Sequence, residues 1–411
     1  TLVAPADRAG PPARTSVPVG PTVRRTRDDE TPNPTYPNLL NEPHDADLFE
    51  YYTTSQIAEV REGQRPRRIG QPGMYESISL SPNGQYILAT RVTRPFSYIT
   101  SWGNFPRVTE VLDREGTVIA TLDERELREA RGRRGFGGNG GGDGARDWSW
   151  QPSGAALTFA KRAPRQGEDD ESSSRPDRVY TLSAPFDTAA AVQVAESADP
   201  IGDFTYSEGG THLFADVSKD GETALVFWTL GATAPTRQML VEWYEGDDIL
   251  ELPGNLRTRQ VGSVEVVEMT DDGPAVFLEG PGYSEDLKPQ PFVDRVALGG
   301  GSTRVFEGGK DFFEQPLVRI ADDGSKWIAS REGVHTFPDS YLWDGSTWEN
   351  LTNNVDPFPE ITATKRMDFE YERRDGLKVK GRISLPVDYV EGTNCLLSTS
   401  DAAYDLLYVH L

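Results

Sequence analysis

Tyr75-Glu-Ser-Ile-Ser-Leu-Ser-Pro-Asn-Gly-Gln-Tyr-Ile-Leu-Ala-Thr90 reads as two short apolar strands joined by a tight Ser-Pro-Asn-Gly turn. Pro and Asn favour the turn, and Gly reaches the positive φ that a Cβ would penalise. The plan returns in Trp148-Ser-Trp-Gln-Pro-Ser-Gly-Ala-Ala-Leu-Thr-Phe-Ala160. Weaker copies run over Phe204–Ala215, Val264–Phe277 and Leu317–Ala329. They recur at intervals of roughly 50 to 70 residues, a little longer than a minimal four-stranded blade. Further strands fill the gaps at Val108–Leu112, Val118–Leu122, Arg178–Leu182, Leu225–Thr229, Met239–Trp243, Arg295–Leu298 and Tyr341–Trp343. Many short hairpins can coexist without long exposed edges when they are arranged radially. The expected fold class is therefore all-β, a β-propeller of about seven blades, or eight, over residues 38–366.

The segments outside that range read differently. Residues 1–37 carry eight prolines and no aromatic before Tyr36, a composition expected to form a disordered spacer. Such spacers often follow a cleaved leader, so export to the periplasm or cell exterior is the expectation. A short helix with acidic residues at its N-terminus is expected around Asp45–Tyr52. After the last repeat, residues 367–393 read as a β-hairpin that opens a new domain. Tyr371, Leu377, Val379, Ile383 and Leu385 alternate, and Arg374-Asp375-Gly376 supplies the turn. Residues 394–411 are expected to be a non-native tail, because Cys395-Leu-Leu-Ser-Thr-Ser-Asp-Ala-Ala-Tyr404 resembles the translation of a sequencing adapter.

Composition narrows the function. The 411 residues include 40 Gly and 30 Pro with only 36% hydrophobic residues, which suits a turn-rich all-β protein. A net charge of −23 argues against nucleic acid, whose phosphates need a Lys/Arg surface. No apolar run approaches the 18 or so residues of a membrane span. The single Cys, Cys395, rules out an intrachain disulfide and a zinc site built on several thiolates.

The residues that could carry chemistry mostly have structural explanations. No G-x-S-x-G elbow occurs, and His44, His212, His335 and His410 show neither a nearby Ser motif nor H-x-x-x-H spacing. No catalytic, cofactor-binding or metal-binding residue is assigned, no cofactor is expected, and substrate-binding residues are not identified. Asp247-Asp248, Asp271-Asp272 and Asp322-Asp323 could be the paired carboxylates of a glycosidase, but they are also what β-turns favour. Trp148, Trp150, Trp228 and Trp243 lie at alternating strand positions and read as blade core. The Gly-rich Gly132–Gly144 lacks the Gly-Lys-Ser/Thr ending of a phosphate loop and reads as a connector. Glu168-Asp-Asp-Glu-Ser-Ser-Ser174 lacks the spacing of a calcium loop and reads as a solvated one.

A set of short motifs in a consistent order resembles the prolyl oligopeptidase family of serine peptidases, most closely its glutamyl-peptidase branch. They are Phe49-Glu-Tyr-Tyr52 with Ser55-Gln56, Arg94-Pro-Phe-Ser-Tyr98 with Phe105-Pro-Arg107, and Trp148-Ser-Trp-Gln-Pro152. Arg178 beside Val179-Tyr180 continues the likeness, as do Pro338-Asp-Ser-Tyr341, Leu351-Thr352, Asp356-Pro-Phe-Pro359 and Arg373–Gly381 with Leu385-Pro386. The resemblance implies a propeller that admits short peptides to an α/β-hydrolase domain, where Ser, Asp and His cleave the peptide bond. It makes residues 367–393 the start of that domain, the chain a truncated fragment, and the fragment inactive. Glutamyl preference would need a basic group that these motifs do not identify. Two other readings stay open: a non-catalytic propeller scaffold or exported binding protein, and a propeller glycosidase. Oligomeric state is not readable from these residues.

Overall fold

Strand alternation and glycine turns account for nearly all the regular structure. The computed structural model describes residues 1–14, 39–128, 144–164, 175–231, 235–271, 274–284, 288–387 and 389–390. Two compact units emerge, one of residues 1–246 with 257–269 and the other of 247–256 with 270–411. The fold class is all-β, of the β-propeller type, followed by a β-hairpin.

In the first unit, β1 (Leu2–Val3), β2 (Ser55–Glu59) and the first half of β3 (Arg67–Leu80) form an antiparallel ladder. The second half of β3 pairs onward with β4 (Tyr86–Val92), β5 (Arg107–Asp113) and β6 (Val118–Arg125). Ser81 Oγ holds the β3–β4 turn by accepting from the backbone N–H groups of Gln85 and Tyr86 at 3.2 and 3.0 Å. Next come two four-stranded meanders. One is β7 (Arg146–Trp150), β8 (Leu157–Arg162), β9 (Asp177–Leu182) and β10 (Val192–Ser197). The other is β11 (Ile201–Tyr206), β12 (His212–Lys219), β13 (Glu222–Thr229) and β14 (Gln238–Glu245). Five successive residues of β13, Ala224–Trp228, are buried, as in a strand covered on both faces.

The second unit begins with β15 (Asn255–Leu256). The chain then returns to the first unit for a two-stranded ladder, β16 (Thr258–Val261) and β17 (Val264–Val267). β15 pairs with β18 (Ala275–Gly280), which continues to β19 (Phe292–Ala297) and β20 (Ser302–Glu307). A further meander comprises β21 (Phe313–Arg319), β22 (Trp327–Gly333), β23 (Thr336–Trp343) and β24 (Trp348–Asn350). The hairpin of β25 (Arg366–Glu372) and β26 (Lys378–Ser384) follows. Set against the seven or eight blades expected, the described residues form five four-stranded sheets and three shorter ladders, the last of them the β25–β26 hairpin. Helix is sparse: α1 (Pro43–Thr53), where an acidic-started helix was expected, and the four-residue α2 (Pro359–Thr362).

Two local readings meet a different outcome. Composition predicts a spacer over residues 1–37, yet residues 1–14 lie against the sheet. Leu2 and Val3 pair with Ile57 and Gln56, Arg8 stacks on Tyr51 at 3.9 Å, and the Tyr51 hydroxyl donates to Ala9 O at 2.8 Å. A few backbone pairs and one cation–π contact suffice for a segment whose proline content argues the other way. The Val264–Phe277 repeat is not one paired hairpin: β17 pairs with β16 and β18 with β15 and β19. A two-residue Gly262-Ser263 loop with Gly262 at φ +62° closes the local hairpin first, leaving β18 for another sheet. The readings of most of Gly132–Gly144, of Glu168–Ser174 and of 394–411 lie outside the described residues.

Candidate functional site: a cavity walled by strand edges

One apolar cluster of the first unit includes Leu88, Val111, Trp150, Leu157 and Phe186, and the returning β16–β17 ladder adds Val264 and Val266. This packing leaves the second half of β3, together with β7 and β11, at the edges of their sheets. Those three edges and β17 wall a cavity of about 840 Å³, within the range of a small-molecule or peptide site. Backbone N–H and C=O groups on such edges can accept an extended chain.

Buried polar networks hold the walls. Arg146 is 6% exposed and Asp177 0%. Arg146 Nη1 donates to Asp177 Oδ1 at 3.1 Å, Nη2 donates to Asp177 Oδ2 and, at 3.0 Å, to Ile201 O, and Ile201 N–H donates to Asp177 Oδ2 at 3.0 Å. One ion pair thus ties β7 and β9 to β11. Trp150 Nε1 donates across to Ser79 O of β3 at 3.2 Å. Tyr206 hydroxyl, whose pKa burial raises, bonds Thr158 Oγ1 at 2.9 Å. Trp148 lies stacked on Phe159 at 4.2 Å, which fixes its ring at the cavity wall.

The charge on the lining is balanced, unlike that of the chain. Arg107, Arg125, Arg128 and Arg146 face the cavity, as do the four carboxylates of Glu76, Glu126, Asp147 and Glu265. Arg107 is fully engaged. It pairs with Glu76 through Nε and Nη2 at 2.6 and 3.1 Å, donates to Gly103 and Phe105 carbonyls, and sits 5.3 Å from the Trp102 ring centre. Arg125 pairs with Asp123 at 2.9 Å. Asp147, at φ +58°, has its pKa raised by burial, opposed by Arg146 and reinforced by Asp203. Asp203 also acts on Asp216, where burial first and Asp203 second push the carboxyl up to about 6.

Each described histidine has its own local setting. His212 Nδ1 lies 3.0 Å from Thr211 Oγ1, and burial lowers the ring's pKa. His335 Nδ1 lies 3.0 Å from Thr362 O, while His44 is on α1. No His, Cys, Asp or Glu group is arranged to hold a metal among the described residues. Asp323 and Asp248 take the turn role expected of such pairs, accepting from Ser325 N–H at 2.9 Å and Leu250 N–H at 3.2 Å, while Asp322 accepts from Asp271 N–H at 3.0 Å. Of the tryptophans read as core, Trp150 and Trp228 are buried at 4% and 0%, whereas Trp148 lines the cavity. Sequence reasoning named no binding residue. The one available signal was Trp148-x-Trp150, two cavity residues at period-two spacing on β7; the bulge at Asp147, φ +58°, takes Arg146 out of that alternation.

No family model matches the chain. Over 417 residues it is 26% identical to a protein described as "Probable glutamyl endopeptidase, chloroplastic" from Oryza sativa subsp. japonica. It is 25% identical over 421 residues to one of the same description from Arabidopsis thaliana. Each alignment takes in 94% of this chain and 42% of the relative, so the chain spans less than half the length of these curated relatives. Among solved structures, the β-propeller domain of the Trilobed protease from Pyrococcus furiosus matches at 12% identity and a TM-score of 0.36, over 69% of this chain and 72% of that one. Prolyl oligopeptidase B from Galerina marginata matches at 11% identity and a TM-score of 0.40, over 80% and 42%.

Proposed function

We propose, from the premise that this chain is the propeller region of a prolyl oligopeptidase-family peptidase, that it receives short peptides and limits their access to a serine peptidase active site. The observation that carries the reading is the cavity of the first unit, walled by four strands that offer backbone hydrogen bonds and lined by arginines and tryptophans. A polypeptide in extended form matches such walls, whereas a folded protein does not enter a volume of about 840 Å³. The reaction served is hydrolysis of a peptide bond in a short peptide, with cleavage after Glu, the residue named in the relatives' descriptions. The compartment proposed is one reached by translocation: export is the sequence-based expectation, and "chloroplastic" stands in the relatives' names. Fractionation of the native cells with an antibody to this chain checks that part.

This chain by itself is expected to hydrolyse nothing. Acyl transfer needs a nucleophile, a base that activates it and an oxyanion site. What supports the reading is that the sequence has no G-x-S-x-G elbow and that His212 and His335 face Thr211 Oγ1 and Thr362 O. Fluorogenic peptides carrying Glu or Pro before the scissile bond test both statements. Cleavage by the protein extended to the length of its relatives, with none by residues 1–411, supports the proposal. Turnover by residues 1–411 that a serine-directed inhibitor blocks overturns it.

A further inference from the structure

Arg107 and Arg125 are direct cross-strand partners on β5 and β6. Like charges in that position repel, so each is held by its own carboxylate, Glu76 and Asp123. Three residues past Arg125 a further guanidinium, that of Arg128, faces the same cavity. Its side chain makes no hydrogen bond or ion pair among the described residues, in a chain where Asp and Glu outnumber Lys and Arg by 65 to 42. The backbone leading into it is held. Leu127 packs against the Met74, Phe96 and Phe105 cluster, and Arg128 N–H donates to Asn104 O at 3.1 Å. That bond places Arg128 beside the Trp102–Asn104 turn, whose exposed indole also lines the cavity.

We propose that Arg128, beside the carboxylate-paired Arg107 and Arg125, binds the side-chain carboxylate of an acidic residue in a peptide lying along the cavity's strand edges. The proposal rests on the peptide-binding reading of the cavity and adds the residue that selects among peptides. Arginine suits the task because its planar fork meets a carboxylate through two parallel hydrogen bonds. Glu126 lines the cavity two residues away and opposes any anion, so the rim discriminates by the balance of these two side chains.

Three coumarin-labelled peptides test this by fluorescence anisotropy against residues 1–411 at low salt. One is Ala-Ala-Glu-Ala-Ala with an amidated C-terminus, the second has Gln for Glu, and the third is the Gln peptide with a free C-terminal carboxylate. The Glu peptide is expected to bind about fivefold tighter than both others, the scale an exposed ion pair supplies. Arg128→Ala should reduce the preference below about twofold and leave the Gln peptide's Kd and the thermal melt unchanged, while Glu126→Gln should enlarge it. Equal binding of the Glu and amidated Gln peptides, or a preference that survives Arg128→Ala, overturns the assignment and leaves the cavity as a peptide site. Tightest binding of the free-carboxylate peptide shows the terminus being read instead and overturns it too. Failure of all three peptides to bind overturns the cavity reading together with the assignment.

Discussion

At the scale of single residues, the cavity walls depend on groups that are costly to alter. Asp177 accepts from Arg146 and from Ile201 N–H with no exposure to solvent. Asp177→Ala would strand a buried guanidinium, and a loss of about 3–5 kcal/mol is expected in urea unfolding. Asp216 has the opposite sign. Its carboxyl binds a proton more tightly folded, at about 6, than the ordinary value near 4. The stability it contributes is present below about pH 4 and is lost as pH rises through 6. Asp216→Asn should therefore stabilise the protein at pH 7 by on the order of 1 kcal/mol, allowing for partial solvent screening, and flatten the profile between pH 4 and 6. Gly116 is a steric case. It sits at φ +85°, and a Cβ there would lie 2.4 Å from the Cα and N of Gly70, whose N–H donates to Glu115 O. Gly116→Ala is expected to cost about 2–4 kcal/mol by the same measurement, since backbone must move.

Among the elements, β3 serves two ladders, and its cavity half stays an edge because β2 occupies only residues 67–73. The β25–β26 hairpin is less well supported. Met367, Phe369 and Tyr371 share one face and remain 37–42% exposed, with Phe369 lying over Gly381 and no further strand on either edge among the described residues. Amides of this hairpin are expected to exchange with deuterium about 100-fold faster than those of β12–β13, which lie inside a four-stranded sheet. Equal protection would mean that the hairpin is covered.

For the molecule as a whole, chain order and compact units do not coincide. Residues 257–269 leave the second unit to complete the first, carrying Val264 and Val266 into a core that Val111 and Leu157 also fill. A fragment ending at residue 246 therefore lacks part of its own core. It is expected to melt at lower temperature than a 1–269 fragment, by an amount equivalent to about 3–5 kcal/mol for two buried valines. Circular dichroism melts of the two fragments measure the difference, and equal midpoints would refute the contribution of β16–β17.

The sequence by itself determined the strands and their class. Turns such as Ser81–Gly84 and alternation such as Lys378–Ser384 are local, set by φ preferences and by a period of two within a few residues. Helix α1 was legible for the same reason. Pairing was not: the Val264–Phe277 repeat reads as a hairpin, but the Gly262-Ser263 loop closes β17 on β16 first and leaves β18 to β15 and β19. The site was decided only by the tertiary structure. Arg128 and Trp102 carry no motif, and Arg107 opposes Arg125 only in a register that the sheet imposes. A cavity is formed by backbone edges brought together over nearly 200 positions, from Glu76 to Glu265, and no local pattern encodes that distance.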